Sequence, residues 1–341
     1  MQALVFDRPA SDTGATRVAE LDTPVPGPGQ LAVRVEYAGI NFKDVMARRG
    51  DPGYVTRWPF VPGLEITGTV VEIGPGVTAH RVGDRVVALT NAGGLAEVAI
   101  ADAALTVGLP AGLDAAAAVT VPGALTTAVL LHDHVARVRP GDAVLVHSAA
   151  GAVGRALADV SRARGGAPEA RGARGARLIG AVGAASRVAA AHDAGYPDVL
   201  VRGDTLADDA RALTGGRGVD IVLDPQGTTY LDQDLAMLAP TGRVILFGNA
   251  SGAALAALPP TGLLYRRNAS VGGFSLEALS ATAPAMVAAA MSTALGLLAD
   301  GQATADPTIL SGLAAAPEAQ QALADGAGHG KYVVSLSWAG R

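Results

Sequence analysis

The 341-residue chain contains no cysteine. That absence excludes disulfides, thiol nucleophiles and thiolate-bound zinc together. Aromatic residues make up only 4% of the chain and charged residues 17%. The formal net charge is −5, so there is neither the cationic surface nor the aromatic platform that nucleic-acid binding needs. No charge-free apolar run reaches the roughly 18 residues of a membrane span. The N-terminus, MQALVFDRPA, lacks the basic segment and apolar stretch of a secretory signal. The expectation is a soluble, cytoplasmic protein.

What is present is apolar residue and glycine: half of the chain is hydrophobic and 44 residues are glycine. A chain of this length and composition buries substantial cores, at about 100–200 residues per domain. Through residue 120 the pattern is of short strands, Leu31–Tyr37, Ile66–Ile73, Arg85–Leu89 and Ala96–Ala101, separated by Gly/Pro punctuation such as VPGPGQ and IGPGV. After a transition at Val121-Pro122-Gly123 the rhythm changes. Strand-like runs at Ala143–His147, Arg177–Val182, Asp198–Val201, Val219–Leu223 and Gly242–Phe247 alternate with alanine-rich helical stretches starting near Gly151, Ser186, Thr205 and Thr229. Alternation of this kind implies right-handed crossovers and a parallel, doubly wound sheet, with Ala269–Phe274 as a sixth strand. A helix near Pro284–Asp300 and a strand at Lys331–Leu336 then read as a return to the first domain. The expected fold is α/β: a discontinuous β-rich domain, residues 1–122 and 275–341, interrupted by a nucleotide-binding domain, residues 123–274. The low-complexity segment GGAPEARGARGAR, Gly165–Arg177, breaks the rhythm at the amino edge of that sheet. Because ligands of open α/β sheets bind at the carboxyl edge, it reads as a solvated loop, with a partner contact as the alternative.

The chemistry concentrates at VHSAAGAVGRA, Val146–Ala156. A strand, a tight turn and a helix follow one another there, as a dinucleotide-binding fingerprint requires, although the first of its three glycines is missing. Gly151 lets backbone approach a pyrophosphate, Gly154 lets the helix pack closely on the strand, and the helix N-terminus offers N–H groups and partial positive charge. Ser148, Ala150, Ala152 and Val153 complete the turn. NAD sites usually end the second strand in Asp or Glu, which binds the adenosine ribose. Here that strand ends Gly183-Ala184-Ala185-Ser186-Arg187. A hydroxyl and a guanidinium suit a 2′-phosphate and a carboxylate does not, so NADPH is the expected cofactor, with Gly183, Ser186 and Arg187 as contacts.

AGINFKD (38–44), FVPGLEITGTVVEIGPGV (60–77), VGDRV (82–86), HSAAGAVG, LTGGRGVDIVLD (213–224), FGNASG (247–252) and GHGKYVV (328–334) together resemble the zinc-independent quinone oxidoreductases of the medium-chain dehydrogenase/reductase superfamily. The similarity runs in order over nearly the whole chain. It implies a GroES-like catalytic domain and a Rossmann domain with a six-stranded sheet, the active site in the cleft between them, and NADPH-dependent hydride transfer to quinones or α,β-unsaturated carbonyl compounds. It also implies that Asn41 lines the nicotinamide pocket and donates a hydrogen bond to the substrate oxygen. Thr126, Phe247, Gly248 and Asn249 are implied near the cofactor, and Lys331 is either a phosphate contact or a strand-edge lysine. Zinc is not expected. Where zinc-dependent relatives carry GHE this chain has Gly63-Leu64-Glu65, and His132-Asp133-His134 reads as a solvated pair on a helix.

Departures from the family pattern are equally informative. Gly50 is followed by Asp51 and Pro52 where relatives have G-x-Y, leaving Tyr54 as a candidate catalytic replacement. Arg202 stands in for a tyrosine near the adenine, where its guanidinium could stack. Gly273 or Phe274 replaces an arginine near the cofactor. The proton donor is unassigned. Asn-Phe-Lys-Asp also resembles the NFRD of polyketide enoyl reductases, so an enoyl reductase or tailoring enzyme of polyketide or fatty-acid assembly is the alternative. A non-enzymatic NADPH-binding protein is a third reading, since relatives include lens crystallins and RNA-binding members. The resemblance further implies a homodimer formed through Ala269–Phe274.

Overall fold

The computed structural model describes residues 1–165, 175–328 and 330–336. Most of the Gly165–Arg177 insertion therefore lies outside the described residues. Of its three arginines only Arg177 lies inside. Arg177 is exposed; it opens a strand and pairs at the surface with Asp198 through two N–H groups, at 2.8 and 3.1 Å.

The chain divides into two compact units, Met1–Thr126 with Glu277–Asp300 and Ala305–Arg341, and Thr127–Leu276 with Gly301–Thr304. In the first, β1 (Gln2–Phe6) and β2 (Thr16–Glu20) form a hairpin. The strands β3 (Gln30–Ile40), β4 (Glu65–Ile73), β5 (Arg85–Leu89), β6 (Val98–Asp102) and β7 (Thr106–Gly108) build the main GroES-like sheet. The second unit carries β8 (Ala143–His147), β9 (Arg177–Val182), β10 (Asp198–Val201), β11 (Val219–Asp224), β12 (Leu238–Leu246) and β13 (Ser270–Gly273). All pairings in it are parallel, in the order β10-β9-β8-β11-β12-β13. The order reverses between β9 and β11 around β8, which creates the topological switch point where nucleotides bind. Finally β14 (Thr308–Ser311) and β15 (Tyr332–Ser335) return to the first sheet, with β15 antiparallel to β3.

One strand organises the GroES-like unit. β3 is eleven residues long; its first half pairs with β6 and its last four residues with β15, while β4 lies along its other edge. Leu31, Val33, Val35, Ala38 and Ile40 are essentially inaccessible and join Ile66, Val70, Val86, Ala88 and Val334 in one apolar cluster. The Rossmann core is separate and built from Leu145, Ile179, Ala181, Val222 and Val244 with Leu206, Ala210, Leu231 and Leu235 from the covering helices.

Two boundaries differ from the sequence expectation. Val121-Pro122-Gly123 is not a break, because residues 115–135 are helical almost throughout. Pro122 sits at the start of a widened turn in which the Thr126 N–H reaches back five residues to the Val121 carbonyl. That geometry tolerates a proline, whose missing N–H is unneeded there. This run of 21 residues is apolar enough by length and mean hydropathy to span a membrane, but 89% of its tested window is buried inside the protein. β12 starts at Leu238, earlier than Gly242, because Leu238 pairs with Val219 ahead of a register shift.

Candidate functional site

The Rossmann unit contributes a strand-turn-helix whose geometry depends on its sequence at few points. β8 ends at His147, and Ser148 follows in the left-handed region, at φ 56°. The Gly151 N–H closes the turn on the Ser148 carbonyl at 2.8 Å, and a 14-residue helix starts at Ala152. Gly154 is obligatory here: a Cβ would lie 2.5 Å from the Ala149 carbonyl oxygen and 2.6 Å from that of Ser148. Ser148 Oγ accepts a hydrogen bond from Gln226 Nε2 at 2.9 Å, which ties the turn to the end of β11. The position of the missing first glycine is Ala149, and the Ser148 hydroxyl just before it has a structural partner. Ala150 is buried, whereas Gly151, Ala152 and Val153 retain exposure along the turn.

At the carboxyl end of β9, Gly183 and Ser186 are exposed and Arg187 is partly buried. Arg202 follows β10, and its backbone N–H reaches the Val182 carbonyl. Its guanidinium lies beside Gly183, where a Cβ would come within 2.7 Å of Nη2. It also sits 5.2 Å over the ring of Tyr230. Arg202 Nε and Nη1 are buried without a hydrogen-bond partner. The stacking surface the sequence reading assigned to adenine is therefore already engaged by Tyr230. Phe247 and Asn249 are partly buried and Gly248 exposed beyond β12. The Asn249 amide is held in its own loop, donating to the Ala253 carbonyl at 2.9 Å and accepting from Ser251 Oγ. Thr126, at the end of the first unit, is fully buried, with its hydroxyl on the Val121 carbonyl.

Under the turn lies a group that sequence reasoning missed. His147 Nε2 lies in hydrogen-bond contact with Asp234 Oδ1 at 2.9 Å, with both side chains inaccessible. The imidazole stacks on Tyr230 with centroids 5.5 Å apart, and Asp224 lies alongside. Burial pushes both carboxyls up to about 7 and the imidazole down to about 4, since each group is driven toward its neutral form.

The GroES-like unit holds a second buried centre, assembled by register. Pairing of Tyr332 with Ile40 places Lys331 next to Asn41, and pairing of Glu65 with Gly39 brings the Glu65 carboxylate beneath them. Gly39 makes room for it, because a Cβ there would lie 2.3 Å from Glu65 Oε1, and a Cβ on Gly123 would lie 2.8 Å from Oε2. Lys331 Nζ donates to Asn41 Oδ1 at 2.6 Å and pairs with Glu65 Oε1. Asn41 Nδ2 donates to Glu65 Oε1 at 2.9 Å and to the Gly39 carbonyl at 3.4 Å. The Gly123 N–H donates to Glu65 Oε2 at 2.6 Å. An ammonium can only donate and a carboxylate only accept, so the orientation of the Asn41 amide is fixed between them. Its N–H groups, expected to face a substrate oxygen, are both engaged by protein acceptors.

Asn41 also caps the helix Phe42–Arg49, where the Asp44 carboxylate accepts the Asn41 N–H at 2.8 Å and the Gly63 N–H at 3.0 Å. Burial pushes the Asp44 carboxyl up to about 6. Tyr54 is half-buried and packs against the GroES-like core, with burial raising its phenol. Lys331 proves to be the partner of a buried carboxylate. Glu65 carried one readable signal, a carboxylate opening the otherwise uncharged run EITGTVV.

These donor sets do not suit zinc. In the GroES-like unit the carboxylate that could ligate, Glu65, is already neutralised by Lys331, and Leu64 offers no ligand atom. Among the described residues, the three groups with atoms close enough for a metal are His147, Asp224 and Asp234, within 4.8 Å. All three are buried, are driven by burial toward their neutral forms and have the Arg202 cation nearby, an environment that opposes a divalent ion. The expected solvated histidine pair is also half wrong. His132 is buried, with Nδ1 2.7 Å from Asp133, which in turn pairs with Arg164; only His134 is exposed.

A GroES-like unit, a parallel Rossmann sheet and a glycine turn at its switch point define the medium-chain dehydrogenase/reductase architecture. Comparison with known proteins agrees. Residues 27–131 match the alcohol dehydrogenase GroES-like domain and residues 169–293 the zinc-binding dehydrogenase domain. The chain is 34% identical to mouse quinone oxidoreductase-like protein 2 over 248 residues, covering 72% of this chain and 68% of that protein. It is 33% identical to a mycocerosic acid synthase-like polyketide synthase of Mycobacterium tuberculosis, covering 98% of this chain and 15% of that much longer protein. Escherichia coli quinone oxidoreductase, solved in complex with NADPH, superposes with a TM-score of 0.87 at 26% identity, covering 98% of this chain and 100% of the other. The chain belongs to the zinc-independent quinone oxidoreductase branch of the medium-chain dehydrogenase/reductase superfamily.

Proposed function

We propose that the chain is an NADPH-dependent reductase of quinones or α,β-unsaturated carbonyl compounds. The observation that carries the choice of cofactor is the end of β9, where Ser186 and Arg187 stand and no carboxylate is present. The turn fits a dinucleotide: Gly154 draws the helix N-terminus against Ser148–Gly151, as a pyrophosphate cradle requires, and Arg202 keeps two buried N–H groups without a protein acceptor. In this reading Ser148–Gly154 hold the pyrophosphate, Gly183, Ser186 and Arg187 the 2′-phosphate, and Arg202 lies under the adenosine end. NADPH, when bound, supplies the hydride. The protein orients the acceptor and stabilises charge growing on its oxygen.

Titration with NADPH and NADH, followed by turnover on quinones, enones and enoyl thioesters, tests this. NADPH is expected to bind more tightly. Arg187→Ala should weaken NADPH by about 10–100-fold, the worth of a charge-assisted hydrogen bond, while changing NADH less than about threefold. Preference for NADH would overturn the assignment. The second reading is enoyl reduction, favoured by the alignment with a polyketide synthase over 98% of the chain, and turnover restricted to enoyl thioesters would establish it. We further propose a homodimer formed through β13, which is the edge strand of the Rossmann sheet. Light scattering at micromolar concentration should give twice the chain mass.

A further inference from the structure

Reduction of a conjugated carbonyl places negative charge on an oxygen, and no group has so far been assigned to receive it. Asn41 cannot serve, since its N–H groups are held by Glu65 and Gly39. Thr126 has its hydroxyl on a carbonyl. Lys331 is different. Its ammonium has three N–H donors, of which one is directed to Asn41 Oδ1 and one to Glu65 Oε1. The third has no protein acceptor among the described residues. Within the pair, Glu65 is completely buried and Lys331, at 9% side-chain exposure, is the less enclosed member. Glu65 and Asn41 fix the ammonium from two sides, and a preorganised donor of this kind is what stabilises a developing oxyanion.

We propose that Lys331 is a catalytic residue, the donor and acid that receives the substrate oxygen, with Asn41 and Glu65 as positioning residues. The assignment rests on the reductase reading. Two electrons and a hydrogen arrive at carbon as the hydride of the nicotinamide, which is thereby oxidised. The conjugated π pair moves onto oxygen, giving an enolate, which in the quinone case becomes the hydroquinone by loss of the C–H proton to water after the oxygen is protonated. The Lys331 Nζ–H bond then breaks as the O–H bond forms, and the amine regains its proton from water. Glu65 supplies the reason for a lysine at this place: a buried carboxylate paired with the ammonium holds it aimed.

Two measurements test the proposal on the full chain, one of them independent of turnover. Lys331→Met alone leaves Glu65 buried and unpaired, so the neutral double variant Glu65→Gln/Lys331→Met is the working comparison, with its fold checked by circular dichroism. It is expected to lose about 10²–10³-fold in kcat, the usual cost of a lost oxyanion donor, with the NADPH Kd changed less than threefold. Lys331→Arg keeps the charge but is a far weaker acid, so kcat should fall at least tenfold there as well. The second measurement is binding of 4-nitrophenolate, a stable phenolate, followed by its absorbance. The wild type should bind it at least tenfold more tightly than the double variant. Equal phenolate affinity, or an unchanged kcat in a folded double variant, would overturn the role of Lys331. A wild type that reduces nothing in the panel but binds phenolate through Lys331 would instead overturn the reductase reading and leave the oxyanion site standing.

Discussion

Each of the two units buries a small set of ionisable side chains, and each neutralises them by a different route. In the GroES-like unit, the Glu65 carboxylate meets an ammonium, an amide and a backbone N–H, so both of its oxygens are satisfied. In the Rossmann unit, His147, Asp224 and Asp234 lie together, but His147 Nδ1, Asp224 Oδ2 and Asp234 Oδ2 have no partner. Burial instead pushes both carboxyls up to about 7, toward their neutral forms. An ion pair preserves charge in a fixed place, which a donor to an oxyanion needs. Burial that favours neutral forms removes charge from beneath the Ser148–Gly154 turn. The difference follows from the partners available: a lysine brought in by β15 on one side, and on the other two aspartates and a histidine with Arg202 directed toward Tyr230.

The comparison can be broken most severely at the ion pair. Lys331→Met should destabilise the protein by about 3–5 kcal/mol, the cost of an uncompensated buried charge, and adding Glu65→Gln should recover most of the loss. Urea melts of the single and double variants measure it, and a single variant as stable as wild type would show that the ion pair contributes nothing to stability. The next effect comes from geometry. Gly39→Ala introduces a Cβ 2.3 Å from Glu65 Oε1, so the carboxylate must move out of line with Lys331. A loss of about 1–3 kcal/mol is expected for such overpacking, together with a fall in kcat. A fall in stability without one would separate packing from aim.

The smallest effect sharpens the contrast with the Rossmann centre. A carboxyl whose folded pKa lies above its unfolded value stabilises fully at low pH and loses that contribution as pH rises through the folded value. For Asp234 the window runs from 3.8 to about 7, and Asp224 titrates over a similar range. His147, lowered from 6.5 to about 4, acts in the opposite sense: its stabilisation is lost as pH falls through that range. Asp234→Asn removes one titrating carboxyl while keeping an acceptor for His147. Its Tm relative to wild type should therefore rise between pH 5 and pH 8. A difference independent of pH would mean that Asp234 stays charged throughout.

Much of this protein was legible locally. β8, β9 and β10 begin and end where apolar runs and punctuation place them, since a buried parallel strand is marked by the apolar run itself. The helix from Ala152 and the need for Gly154 follow from three short elements in immediate succession. Less legible were the helix through Pro122, where a widened turn suspends the usual rule, and the hairpin β1–β2, whose pattern is short and weak. The candidate site divides in the same way. The turn Ser148–Gly154 and the basic end of β9 are contiguous stretches. Glu65 is a single carboxylate on an apolar strand, and nothing beside it in sequence tells what it meets.

The sequence by itself determined the βα alternation, the tight strand-turn-helix at Ser148–Gly154 and the absence of a carboxylate at the end of β9, because each depends on neighbours within a few residues. Only the tertiary structure decided that Asn41, Glu65 and Lys331 form one centre. Asn41 lies 24 residues from Glu65 and 290 from Lys331, and their meeting depends on the register of β3 with β4 and β15. A one-residue slip in either pairing would send these side chains to opposite faces of the sheet, and local propensity carries no information about that choice.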